Sequence, residues 1–118
     1  LVVDDEKQMT DAWVIIINKF LRIECRGVYH PDDALKIIEE EKPPFLIVDF
    51  NLKADLNGIE VYHKAKEANP NLKAIMVSGN ADDPEVRIAC QDAGIAVLLD
   101  KPIMLEELME QVKTLVKE

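Results

Sequence analysis

Cysteine is scarce in this chain. Only Cys25 and Cys90 are present, and they form neither a C-x-x-C pair nor a cluster with metal-ligand spacing. Zinc-module and dithiol readings therefore fall away. The two thiols read as small buried or half-buried apolar residues of a reducing cytoplasm. Histidine is equally sparse, and His30 and His63 have no ligand or triad partner at a recognisable spacing. Both read as surface or loop residues. No apolar run approaches the roughly 20 residues of a membrane span. No signal peptide is visible, although the chain opens with Leu1 directly on an apolar run, so the first strand is expected to start upstream of it. Basic residues are the minority, 14 against 23 acidic, for a formal charge of −9. That balance argues against a grip on nucleic acid, whose phosphates select basic surfaces. Repeats, low-complexity tracts and linkers are absent too.

What is present is a 48 % hydrophobic, 31 % charged chain of 118 residues. This composition suits one globular domain over 1–118. Short apolar runs alternate with amphipathic stretches. Leu1-Val2-Val3 opens the series. Helical spacing follows from about Glu6 to Leu21, with Met9, Trp13, Ile16, Ile17 and Phe20 on one side. A weak extended segment lies near Ile23 to Tyr29. A second helix is expected over Asp32 to Glu41, stopped by Pro43-Pro44. Phe45 to Val48, Ala74 to Val77 and Ala96 to Leu99 are further apolar runs. Between them lie a helix opening near Gly58 and another between Pro84 and Gly94. Leu105, Leu108, Met109, Val112, Leu115 and Val116 form the apolar face of a last helix. Five strands alternating with five helices predict an α/β, doubly wound, five-stranded parallel sheet, because buried parallel strands read as unbroken apolar runs.

The chemistry sits immediately after these runs. Val2-Val3 leads into Asp4-Asp5, Val48 into Asp49, Val77 into Ser78, and Leu99 into Asp100-Lys101-Pro102. Only the weak second strand ends without such a group, as an edge strand would. Carboxyl ends of parallel strands share one edge, where such sheets bind ligands. Asp4, Asp5, Asp49, Ser78 and Lys101 are thus expected to converge. Three carboxylates together repel one another unless a cation compensates. A hard divalent ion held by oxygens does so, and Mg²⁺ suits few protein ligands plus a phosphate. Lys101 adds a mobile positive charge and Ser78 a hydroxyl donor. The set suits a tetrahedral oxyanion beside a carboxylate nucleophile. Each residue alone has a plainer reading: an Asp or Ser-Gly after a strand is often only a turn former. Their conjunction, each group behind its own strand, carries the expectation.

The pieces Val2-Val3-Asp4-Asp5-Glu6, Ile47-Val48-Asp49-Phe50-Asn51, Asn57-Gly58-Ile59-Glu60, Val77-Ser78-Gly79 and Asp100-Lys101-Pro102 resemble the response-regulator receiver domain of two-component signalling. The resemblance covers essentially the whole chain. It implies a flavodoxin-like, chemotaxis-regulator-like (βα)5 fold with strand order 2-1-3-4-5. Asp49 would be the phospho-acceptor. Asp4, Asp5, Asp49 and the Asn51 backbone carbonyl would hold Mg²⁺, with Mn²⁺ as the alternative. Ser78 and Lys101 would meet the phosphoryl group. Gly79 would keep access open, and Pro102 would be the family's cis-proline position. Ser78, Gly79, Leu98, Lys101 and Pro102 would form the switch. The implied donor is a sensor histidine kinase or histidine phosphotransfer protein. The implied activity is a regulatory switch rather than a turnover enzyme, passing its signal to an output domain or partner without touching nucleic acid or membrane itself.

Three departures stand out. Leu98 replaces the family's usual aromatic. The stretch from Asp49 to Gly58 is one residue longer than the common form and has no proline. The last helix opens on Ile103-Met104-Leu105 without a capping Asp or Ser. Rival readings fare worse. A flavodoxin-like electron carrier needs a hydroxyl- and glycine-rich phosphate loop where Asp4-Asp5-Glu6 stands. An aspartyl phosphatase usually wants a second acid at Asn51 and a cap domain. A receiver-shaped module that is never phosphorylated has no need of the full acidic set and Lys101.

Overall fold

Every apolar run contributes a strand in the computed structural model, and every amphipathic stretch a helix. The structure describes residues 1–52, 56–101 and 103–117, with Lys117 described by its backbone alone. The elements are β1 (Val2–Val3), α1 (Lys7–Phe20), β2 (Gly27–Val28), α2 (Pro31–Glu41), β3 (Phe45–Asp49), α3 (Gly58–Ala68), β4 (Lys73–Ser78), α4 (Pro84–Ala93), β5 (Val97–Asp100) and α5 (Leu105–Lys117). All strand pairs are parallel, in the order β2-β1-β3-β4-β5. The fold is the expected doubly wound α/β sheet of flavodoxin-like type. Its weak second strand lies at the edge.

Strand side chains alternate between two cores, as the two-residue period requires. Val3, Leu46, Val48, Ala74 and Met76 pack with Ala34 and Ile38 of α2, Val61 and Tyr62 of α3, and Val86 and Cys90 of α4. Val2, Ile47, Ile75, Val77 and Leu99 pack with Trp13 and Ile17 of α1 and Leu108 and Val112 of α5. Two helices therefore cover one face and three the other. Leu46, Ile75, Met76, Val2 and Val3 are fully buried. Burying each is worth about 1.5–3 kcal/mol.

Local chemistry sets the helix ends. His30 caps α2, its Nδ1 accepting from the Asp32 N–H at 3.1 Å. Asn57 and Glu60 form a reciprocal capping box on α3. Asp83 caps α4 ahead of Pro84. Gly94 ends α4 at φ +84°, a left-handed cap that glycine adopts freely.

Two expectations need correction. Phe20 falls by spacing on the apolar side of α1 but is 62 % exposed. The buried stripe of α1 steps by four from Trp13 through Ile17 to Leu21, which packs in the same core and leaves Phe20 to one side. On α5 the apolar face is narrower than expected. Leu108 and Val112 are buried, while Leu105 and Val116, at the two ends of the helix, are exposed. The stripe is centred on the middle turns, where the sheet lies beneath.

Candidate functional site

The register fixes which groups meet. Val3 lies level with Val48, and Asp49 with Val77. Asp4 and Asp49 therefore leave adjacent strands side by side, and Ser78 follows one step on. At the end of β1, the Asp4 N–H still donates to Val28 O. Asp4 Oδ1 then accepts from the Glu6 N–H at 3.0 Å, an Asx-type turn that starts the chain toward α1. At the end of β3, Asp49 Oδ1 accepts from the Asn51 N–H at 3.2 Å. The Phe50 N–H donates to Val77 O and the Gly58 N–H to Phe50 O, both within 2.9 Å. Gly58 presses directly on this turn. A methyl group there would stand 2.3 Å from the Asp49 carbonyl oxygen, so α3 can start at this distance only on glycine. At the end of β4, Ser78 Oγ accepts from the Asn80 N–H at 2.9 Å. The Lys101 N–H donates to Ser78 O, which ties the end of β5 to that of β4.

Lys101 reaches across all of this. Its Nζ lies 2.9 Å from Asp49 Oδ2, 3.0 Å from Asp4 Oδ2 and 3.2 Å from Glu6 Oε1. Burial alone pulls the ammonium down. The hydrogen bond to Asp49 and the charges of Asp49 and Asp4 outweigh burial, so its pKa stands well above the ordinary lysine value. Asp4 is fully buried, and burial pushes its carboxyl up. The Asp49 charge adds to this, while the Glu6 N–H and Lys101 oppose it.

One ligand oxygen from each of Asp4, Asp5 and Asp49 lies within 4.8 Å of the others. Asp4 Oδ2 is buried and accepts no hydrogen bond among the described residues. Its approach to Lys101 is an ion pair without hydrogen-bond alignment. Unused lone pairs, an all-oxygen donor set and surplus negative charge fit a hard divalent cation. A cleft of about 570 Å³ opens over these groups, bounded by Asp5, Asp49, Asn51, Ser78, Gly79 and Lys101. A second cavity, about 340 Å³, lies at the opposite ends of the strands; it is mostly apolar, and its Arg26 and Glu41 pair with each other.

Asp4, Asp5, Asp49, Asn51, Ser78, Gly79 and Lys101 thus come together at one sheet edge. Leu98 does not join them. It is half-buried on β5 and packs against the core on the α2–α4 face. Pro102 lies outside the described residues, as do Lys53, Ala54 and Asp55 of the long stretch before Gly58. Glu6, Asn57 and Asn80 also line or reach the site; the sequence motifs include Glu6 and Asn57 without giving them a role, and Asn80 lies in none of them. Glu6 meets Lys101 across 95 positions, a pairing that no local pattern signals.

The model of the response regulator receiver domain family matches residues 1–113. This chain belongs to that family. Among curated proteins, the receiver domain is 28 % identical to the probable transcriptional regulatory protein TcrX of Mycobacterium tuberculosis over 99 % of its own length and 49 % of that protein's. It is 26 % identical to the hydrogenase transcriptional regulatory protein HoxA of Bradyrhizobium diazoefficiens, covering 24 % of that protein. The chain therefore spans half or less of these curated relatives. Among solved structures, a CheY-like receiver domain protein from Methanospirillum hungatei superposes with a TM-score of 0.85 at 29 % identity, covering 96 % of this chain and 88 % of that one. The receiver domain of NtrX from Brucella abortus gives 0.84 at 26 %, covering 98 % and 96 %. Receiver domains of two-component response regulators are regulatory switches, and the family binds Mg²⁺ at an acidic pocket. Among the described residues no helix is long and apolar enough to cross a membrane.

Proposed function

We propose that this receiver domain accepts a phosphoryl group on Asp49 from the phosphohistidine of a sensor histidine kinase or a histidine phosphotransfer protein. One observation carries the assignment. Asp49 is a nearly buried carboxylate that shares a lysine with Asp4 inside a three-carboxylate cluster.

Asp4, Asp5, Asp49 and the Asn51 carbonyl would hold Mg²⁺. When bound, the ion neutralises charge on the phosphoryl oxygens and on the clustered carboxylates. A carboxylate oxygen of Asp49 attacks phosphorus in line with the donor nitrogen. The P–N bond breaks, and its electron pair stays on the imidazole. Lys101 gives up its contacts to Asp4 and Glu6 and pairs with the new phosphoryl oxygens. Ser78 releases the Asn80 N–H and turns its hydroxyl to the same group. Gly79 leaves the approach open. Attack of water on phosphorus later returns inorganic phosphate and the free carboxylate. Positioning and electrostatics are the whole contribution of the domain, as befits phosphoryl transfer.

The signal passes through the Ser78 loop to the start of α4 and onward to an output domain or partner protein. With a formal charge of −9, this domain makes no nucleic-acid contact of its own, and it works in the cytoplasm where kinases present phosphohistidine. The test is incubation with Mg²⁺ and acetyl phosphate. One phosphoryl group per chain is the expected gain in intact mass. A chain that takes none with either acetyl phosphate or phosphoramidate overturns the proposal.

A further inference from the structure

Among the described residues four polar side chains are buried: Asp4, Asp49, Ser78 and Thr10. Three of them belong to the acidic site. The fourth, Thr10, lies one turn into α1 and is fully buried. Its Oγ1 donates to the backbone carbonyl of Asp4 at 2.9 Å. That carbonyl belongs to the peptide unit joining Asp4 to Asp5. A peptide unit is rigid and planar, so holding its oxygen fixes the rotation of the whole plane. The plane in turn sets the direction in which the carboxylates of Asp4 and Asp5 leave the backbone.

Thr10 itself is held. A Cβ at Gly27 would lie 2.7 Å from Thr10 Cγ2 and 2.9 Å from Val14 Cγ2, so α1 packs on the start of β2 with no spare room. The threonine methyl fills that contact. Its hydroxyl is left facing Asp4, since a β-branched side chain on a helix has few rotamers to choose from. A buried hydroxyl is kept only where it has a partner.

We infer that Thr10 is a positioning residue for metal capture, holding the Asp4–Asp5 peptide so that both carboxylates face one cation. The inference rests on the reading of the acidic cluster as the Mg²⁺ site. It adds a residue that touches neither metal nor phosphoryl group.

The experiment compares Thr10→Val with Thr10→Ser. Valine keeps the shape and removes the hydroxyl; serine keeps the hydroxyl and removes the methyl. Mg²⁺ dissociation constants are measured by calorimetric titration of protein shown to be folded by circular dichroism. Thr10→Val is expected to weaken Mg²⁺ binding about tenfold, the loss that supporting partners of metal ligands commonly bring. Thr10→Ser is expected to stay within about twofold of wild type. A merely structural role would lower the melting temperature of both variants and leave Mg²⁺ affinity alone. Equal affinities in wild type and Thr10→Val overturn the inference, and so does an equal loss in both variants. Should Thr10→Val not fold, Thr10→Ala against Thr10→Ser makes the same comparison with the same outcomes. A wild type that binds no Mg²⁺ overturns the reading of the cluster itself, and the inference with it.

Discussion

Nζ of Lys101 stands 2.9 Å from Oδ2 of Asp49, across 52 positions of the chain. The same ammonium lies 3.0 Å from Asp4 Oδ2. Without a metal, Lys101 is thus the counter-charge of two buried carboxylates. A metal ion held by this cluster would compete with the lysine for the same oxygens.

Replacing the lysine separates its two effects. Lys101→Met leaves Asp4 and Asp49 facing each other without a cation, which should lower stability in metal-free buffer by about 1–3 kcal/mol. Mg²⁺ no longer has to displace an ammonium, so its affinity should rise several-fold. Thermal unfolding with and without Mg²⁺ checks both effects: the metal should raise the midpoint of Lys101→Met by more than that of wild type. Equal increments would show that lysine and metal do not compete.

Asp4 gives a pH signature. Burial raises its carboxyl above the ordinary aspartate value, so the folded state holds the proton more tightly than the unfolded chain. The sign follows: Asp4 favours the fold at low pH and costs stability once pH rises through its folded pKa. Asp4→Asn should therefore be more stable than wild type at neutral pH without metal, by the roughly 0.5–2 kcal/mol common for single stabilising substitutions. The gain should shrink as pH falls toward 3.8. Urea denaturation across pH 3.5–8 measures it, and a gain that grows toward acid pH would contradict the assignment.

Position matters more than charge for metal binding. Asp5→Ala and Glu110→Ala each remove one negative charge, but Asp5 belongs to the carboxylate cluster and Glu110 is exposed on α5. Asp5→Ala should lose most of the Mg²⁺ affinity, at least about tenfold, because few anionic ligands are offered. Glu110→Ala should stay near wild type. Similar constants for the two variants would remove Asp5 from the ligand set.

The fold was legible because each apolar run stops at a polar group. Val48-Asp49, Val77-Ser78 and Leu99-Asp100-Lys101 announce strand ends without any knowledge of pairing. Parallel geometry then places those ends on one edge. The contacts missed were ones that only the third dimension makes. Glu6 reaches Lys101 over the top of the sheet. Thr10 hides on a helix whose period predicts Met9 and Trp13 inward, and its partner is a backbone oxygen that no pattern displays. Phe20 went wrong for a similar reason: being apolar at helical spacing does not say where the stripe drifts at the last turn.

Leu98 sets the form of the switch. It is half-buried against Met76 and its neighbours in the core, and leucine gains by staying there. On activation the Ser78 loop and the start of α4 should move, since Ser78 Oγ must release the Asn80 N–H. Leu98 should keep its rotamer. Structures with and without beryllofluoride and Mg²⁺ test this, and an inward swing of Leu98 coupled to Ser78 would refute it.

The phosphoryl group should go to Asp49 and to no other residue. Wild type and Asp49→Asn are incubated with Mg²⁺ and acetyl phosphate, and intact mass is followed with time. Wild type should gain one phosphoryl group that is lost with EDTA present from the start. Asp49→Asn keeps the size and hydrogen bonding of the side chain but has no carboxylate to attack phosphorus, so it should gain none. Equal labelling of the two proteins would contradict the assignment of Asp49 as the acceptor.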